Sequence, residues 1–173
     1  MNFDVYLGVN KKDRLSVALV VKAVVTDTPE TIIPSDLLPL PKLPQCKYRM
    51  YPLVDQMADK VCATLSVYNG YPSTRVKDLV DLVVLTLTQA IDGGRLEVAI
   101  TREAASRGLP LPETFTVPPD WDASYRRLAS PIPDCKDHLT VALATSLVNA
   151  LLEPVLAGKA KGLRWDPGIR AWV

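Results

Sequence analysis

Two segments gather the side chains whose types and spacing suit work on phosphates or protons. Residues 51–63 place Asp55, Asp59 and Lys60 beside an apolar stripe, and residues 73–82 carry Arg75, Lys77, Asp78 and Asp81. Ammonium and guanidinium groups donate to phosphate or carboxylate oxygens, while carboxylates accept protons or bind hard cations. Taken alone, both segments read equally well as amphipathic helices with solvated polar faces. Lys77 and Asp81 then form an i,i+4 pair worth only about 0.2–0.5 kcal/mol.

The other candidates carry less. His138 is the sole histidine, and no second histidine or spaced acid accompanies it, so it reads as surface or cap chemistry. Cys46, Cys62 and Cys135 are far apart and form no C-x-x-C pair, which argues against a zinc site or a disulfide framework. They read as ordinary buried or half-buried residues of a reducing cytoplasm. The only D-x-D is Asp120-Trp121-Asp122, after two prolines, where Asp120 reads as a helix cap rather than a metal ligand. Arg126-Arg127 and Lys159, Lys161 and Arg164 are local basic spots that suit solvated surface or the border of an RNA groove.

The elements that must position these residues follow from periodicity. Phe3, Val5, Leu7 and Val9 alternate as a strand with one buried face should, residues 10–13 supply turn chemistry, and a β-branched run from Leu15 to Val25 predicts an inner strand. Five prolines between residues 29 and 44 predict an extended connection, because each ring removes an amide donor and fixes φ. From Pro52 the period becomes helical, with Leu53, Met57, Val61 and Leu65 on one stripe. A second helix is expected from a Thr74 cap to Ile91, ended by Gly93-Gly94, and a third over 95–107. A short helix capped by Asp120 runs to Leu128, and a long one from Cys135 to Leu156 is capped by Asp134 and bent or shortened by Pro154. The tail, with its Trp-Asp-Pro-Gly turn, predicts a closing hairpin or docked loop. Strands first and helices afterwards argue α+β: a short mixed sheet followed by a helical lobe. The expected division is residues 1–46 for the strands and Pro-rich connection, and 47–173 for a helical domain.

The chain has 173 residues, 48% of them hydrophobic, and a formal net charge of +1. It is long enough for a real core, and no global field points to nucleic acid or membrane. Polar residues break every apolar run before membrane-spanning length, and the start shows no signal peptide, so a soluble cytoplasmic protein is expected.

Together the two charged segments resemble the AbiEii/AbiGii-type abortive-infection toxins of bacteria. That family carries a D-K-x-x-A helix, here Asp59-Lys60-Val61-Cys62-Ala63, followed by R-x-K-D-x-x-D-L, here Arg75 to Leu82. The resemblance extends to T-x-T-P-E at Thr26 to Glu30, Glu103-Ala104, Trp121 with Tyr125, Glu153 to Leu156, and Trp165-Asp166-Pro167 with Trp172. It covers roughly residues 15–173, in order. It implies the C-terminal part of a nucleotidyltransferase of the DNA-polymerase-β type, in which strand-borne acids hold divalent metal and a nucleoside triphosphate. On that resemblance Lys60 reaches the triphosphate, Asp78 is its catalytic acidic partner, and Arg75 and Lys77 face phosphate. RNA such as tRNA is the implied acceptor, and a cognate antitoxin or a separate N-terminal half the implied partner.

The sequence departs from the family at its start. It contains no Gly-Ser turn and no early D-x-D pair, and Ala18 stands where the family has an acid; Asp4 lies too far upstream to replace it. The expectation is therefore no metal site in this chain, Mg²⁺ only if a complete site is supplied, and an incomplete or inactive enzyme. A noncatalytic module binding nucleotide, RNA or protein is the alternative reading.

Overall fold

Val54, Met57, Ala58, Val61 and Cys62 recur at helical spacing, and in the computed structural model they form the buried face of helix α1, Leu53–Leu65. The structure describes residues 1–17, 23–33 and 47–173. Helix α1 packs against α2, Val76–Thr88, and α3, Gly93–Arg107; α2 also lies against α4, Asp122–Ala129, and α5, Val141–Leu156. Leu79, Leu82 and Val83 of α2, Leu96 and Ile100 of α3, and Leu151 and Leu152 of α5 fill one continuous core with Phe115, Trp121, Tyr125 and Trp165. Each such side chain contributes about 1.5–3 kcal/mol by leaving water.

Short strands are the other extended elements of the described chain, and every described pairing is antiparallel. β1, Asn2–Leu7, pairs with β2, Asn10–Ser16; β3, Glu30–Ile32, pairs with β4, Tyr48–Met50; β5, Val67–Tyr68, pairs with β6, Tyr71–Pro72. β7, Ile91–Asp92, pairs with β8, Arg164–Asp166, which pairs with β9, Ala171–Trp172. The class is α+β as expected, with short antiparallel pairings in place of a mixed sheet. β1–β2, β5–β6 and β8–β9 close through short turns, which can join only antiparallel neighbours, since a parallel pair needs a long crossover.

Several local expectations are corrected. The first turn falls at Gly8 (φ 62°) and Val9, so residues 10–13 begin β2 instead of forming the turn. Both faces of β1 and β2 are exposed, including Phe3, Val5 and Leu7. Residues 18–22 of the expected inner strand, with Ala18, and residues 34–46, with Cys46 and four of the five prolines, lie outside the described residues. Gly93 and Gly94 open α3 instead of closing α2, because the Asp92 carboxylate accepts the Arg95 backbone N–H (2.9 Å) and caps the next helix. α2 begins at Val76, without a Thr74 cap. Neither Asp120 nor Asp134 caps a helix: each lies in a short 3-10 turn, and Thr140 caps α5 by accepting from the Leu143 N–H.

Other expectations hold. α3 stops at Gly108, whose left-handed backbone (φ 62°) lets its N–H close on the carbonyls of Ala104 and Ala105. α5 ends two residues beyond Pro154, whose carbonyl accepts from the N–H groups of Lys159 and Ala160. The tail closes as the hairpin β8–β9, tied down where Trp165 Nε1 donates to the Thr86 carbonyl (2.8 Å) and Trp172 Nε1 to that of Leu151 (3.2 Å). No helix among the described residues is long and apolar enough to cross a membrane.

Candidate functional site

The tight hairpin β5–β6 joins α1 to α2, so the middle of α1 faces the first turns of α2. Lys60 projects from α1 into that seam and donates to Asp81 Oδ2 at 2.6 Å; Asp78 Oδ1 lies 3.6 Å from the same ammonium. Asp78 is nearly buried, with 6% of its side chain exposed, and its Oδ2 lies 2.5 Å from Arg75 Nε. Arg75 Nη2 also donates to Asp78 Oδ1 at 3.4 Å, while the shorter Nε contact with Oδ2 is an ion pair without hydrogen-bond geometry. Lys77 reaches Asp81 at 3.7 Å from a side chain 78% exposed. The structure thus brings Lys60, Asp78, Arg75 and Lys77 together.

A second charged group borders the first. Arg107, at the end of α3, pairs with Asp59 (2.5 Å) of α1 and donates to Glu103 (2.6 Å). Burial weighs against the charge of Arg75. Its hydrogen bond to Asp78 and the charges of Asp78 and Asp59 outweigh that and hold its pKa above the ordinary value. Arg107 is held up in the same way, by Glu103 and then Asp59. Both guanidiniums are permanent cations, each already facing an acid.

Asp55 enters α1's first turn as a buried carboxylate. It accepts from the Thr26 N–H (3.0 Å), the Thr26 hydroxyl (2.5 Å) and the Asp27 N–H (3.2 Å). The Tyr51 hydroxyl adds a bond to the Val24 carbonyl (2.8 Å), and burial, with Asp55 next, pushes that phenol up to about 12. The helix that presents Lys60 is thereby fastened to the segment around Thr26. Beside this latch opens a groove of about 720 Å³, lined among others by Asp27, Glu30, Tyr51, Gln56, Arg95 and Arg164. Lys60 and Asp78 do not line it, so their closeness does not make them walls of this groove.

The remaining candidates resolve into structural roles. His138 is buried, not a surface residue: its carbonyl accepts the Tyr125 hydroxyl (2.8 Å), and its Nδ1 has no partner among the described residues. Trp121 is core, and Asp122 accepts the Val141 N–H. Cys62 and Cys135 are free and buried. Asp4 is neutralised on the surface by Lys11 (2.8 Å) and Arg14 (3.3 Å). Arg126 and Arg127 line a shallow recess on α4.

The described carboxylates do not fit a divalent metal. No group of three His, Cys, Asp or Glu side chains converges among the described residues, and Asp78 and Asp81 turn their oxygens to cations. Sequence reasoning missed Asp81 as the nearest partner of Lys60, the Asp59–Arg107 pair and the role of Asp55. All three bridge elements whose relative register no periodicity reveals.

A family model described as nucleotidyl transferase AbiEii toxin, type IV TA system, matches residues 2–152. No curated protein and no solved structure matches the chain.

Proposed function

Because the chain belongs to the AbiEii nucleotidyl transferase toxin family, we propose that the seam between α1 and α2 holds the phosphates of a nucleoside triphosphate during nucleotide transfer to RNA. The observation that carries this reading is the gathering of Lys60 and Arg75 around the nearly buried Asp78, with Lys77 beside Asp81 at the same seam. Lys60 exchanges a carboxylate partner for a phosphate oxygen, as a compact cation on a flexible stem can. Arg75 and Lys77 extend the positive edge. Asp78 is the carboxylate that in this reading accepts the acceptor's hydroxyl proton, once a phosphate draws the neighbouring cations away from it. In the transfer, the hydroxyl oxygen bonds to the α-phosphorus, the α–β phosphoanhydride breaks, and pyrophosphate leaves.

In this reading residues 1–46 belong to the nucleotidyltransferase core and residues 47–173 to a helical domain completing its pocket. A partner chain that supplied metal-binding acids would bring Mg²⁺ with them. A tRNA acceptor, a cognate antitoxin and a cytoplasmic setting belong to the same proposal. The chain alone then binds triphosphate weakly and does not turn it over. Calorimetric titration with each nucleoside triphosphate, with and without Mg²⁺, followed by incubation with labelled triphosphate and total tRNA, tests it. Binding without label transfer is the expected result, and transfer by the rigorously purified chain would overturn the incomplete-enzyme reading.

One observation favours a second reading. Lys60, Arg75, Lys77 and Arg107 each face an acid, so the network neutralises itself. A noncatalytic binding module keeps such a network as structure. It predicts no triphosphate heat in the titration.

A further inference from the structure

The link between the two helices of the seam is built with more chemistry than a connection needs. β5 and β6 pair only Val67 with Pro72 and Tyr68 with Tyr71, around a turn whose two residues, Asn69 (φ 52°) and Gly70 (φ 83°), are both left-handed. Two left-handed residues match the right-handed twist of the strands, so the turn fixes where its flanking side chains stand. Directly opposed residues project from one face, which sets Tyr68 and Tyr71 side by side.

Both rings reach solvent, Tyr71 the more so. Tyr71 is 74% exposed and Tyr68 45% exposed. The only ring–ring contact among the described residues is Trp165 with Trp172, so the two tyrosines do not stack on each other. Four residues beyond Tyr71 stands Arg75, and Lys77, the most exposed cation of the seam, follows. Exposed aromatic faces with cations alongside are the two parts a single strand of nucleic acid engages: bases stack on the rings and phosphates meet the cations.

We propose that Tyr68 and Tyr71 form a stacking platform for the unpaired end of an RNA acceptor, with the exposed Lys77 at the rim of the seam meeting its backbone phosphate. The platform deepens the proposed transferase reading by naming where its acceptor docks. It selects single strands, because bases inside a duplex have no free faces. It is indifferent to base identity, because every base has a π-face.

Fluorescence anisotropy of the full chain with an end-labelled pyrimidine RNA 12-mer, and with a blunt duplex of the same length, tests the platform. The single strand is expected to bind and the duplex to bind much more weakly. Tyr71→Ala is expected to weaken binding roughly five- to hundredfold, the range of one lost stacking contact. Tyr71→Phe keeps the ring and is expected to bind as the parent does. Lys77→Gln is expected to lower the slope of log affinity against log salt by about 0.7. Circular dichroism confirms that each variant is folded, and Tyr68→Ala provides an independent ring deletion. Unchanged binding by both alanine variants, equal loss in Tyr71→Phe, or equal affinity for the duplex would each overturn the platform. So would a Tyr71→Ala variant that binds RNA normally but loses self-association in sedimentation, which would mark the hairpin as a protein-docking surface. Triphosphate titration separates the two readings. Tyr71→Ala should keep the parent's triphosphate affinity. RNA binding without triphosphate binding would sink the transferase reading and leave the platform standing, and the reverse result would do the opposite.

Discussion

The Asp55 carboxylate receives both the backbone N–H and the hydroxyl of Thr26, joining the first turn of α1 to a segment 29 residues earlier in the chain. With the Asp27 N–H it satisfies a buried anion entirely from one short stretch of backbone and side chain. Hydrogen bonds to a charged group contribute about 1.5–3 kcal/mol each, and they are not additive when they share one acceptor. Asp55→Ala is expected to cost roughly 3 kcal/mol and also to strand the Thr26 donors. Asp55→Asn, which keeps an acceptor oxygen, should cost less. Urea titration of both variants checks the order.

Lys60 sits between two carboxylates with 15% of its side chain exposed. Lys60→Met is expected to destabilise the chain by roughly 2 kcal/mol, because Asp78 and Asp81 lose a shared cation. It should also abolish triphosphate heat in calorimetry. Retained heat in a folded Lys60→Met variant would remove Lys60 from the binding site.

Much of this was legible in the sequence, and the boundary has a physical cause. The stripe of Met57 and Val61 and the R-x-K-D-x-x-D-L pattern announced α1, α2 and the meeting of Lys60 with Asp78, because helical periodicity and a short connection constrain neighbours. Asp81 as the closer partner of Lys60 was hidden, since periodicity fixes a residue's face but not the axial offset between two helices. Gly93-Gly94 misled because glycine favours a helix end, while Asp92 just before it provides a stronger start. The exposure of Phe3, Val5 and Leu7 was illegible as well: alternation marks a strand without saying what covers it.

The paired glycines at the head of α3 should respond oppositely to alanine. A Cβ on Gly93 would lie 2.2 Å from the Ala160 carbonyl oxygen, a backbone atom that cannot swing away. Gly93→Ala is expected to cost about 3 kcal/mol, at the upper end of core overpacking. On Gly94 the nearest atom would be 3.5 Å away, an ordinary contact, so Gly94→Ala should gain about 0.5–1 kcal/mol from reduced chain entropy. Melting temperatures moving in the same direction would contradict this geometry.

His138 makes stability depend on mild acid. Burial first, and then the charge of Arg170, lower its pKa from 6.5, while Asp137 pulls the other way. The unfolded chain therefore takes up the proton at a pH where the folded chain still refuses it. The contribution is fully present above about pH 6.5 and is lost as pH falls toward the lower folded value. Denaturation midpoints between pH 7.5 and about 5 should fall less steeply for His138→Gln than for the parent.

Burial pushes the Cys62 thiol up to about 12 and raises Cys135 as well. Neither forms thiolate at neutral pH, and neither is reachable. In native protein both should resist a disulfide-exchange reagent, and both should react at once in guanidinium. Rapid native labelling at either position, located by peptide mapping, would show that the core opens far more often than its packing implies.

Ile91 finds its strand partner in Trp165, and that indole in turn hydrogen-bonds the end of α2. A ribosome delivers these residues in order, so the junction between α2 and α3 leaves the exit tunnel long before the strand that covers it. Until Trp165 emerges, Ile91 lacks its strand partner and the core lacks one of its largest buried side chains. Premature termination ahead of residue 164 therefore leaves this junction uncovered, a sticky helical intermediate for proteolysis or chaperones to meet.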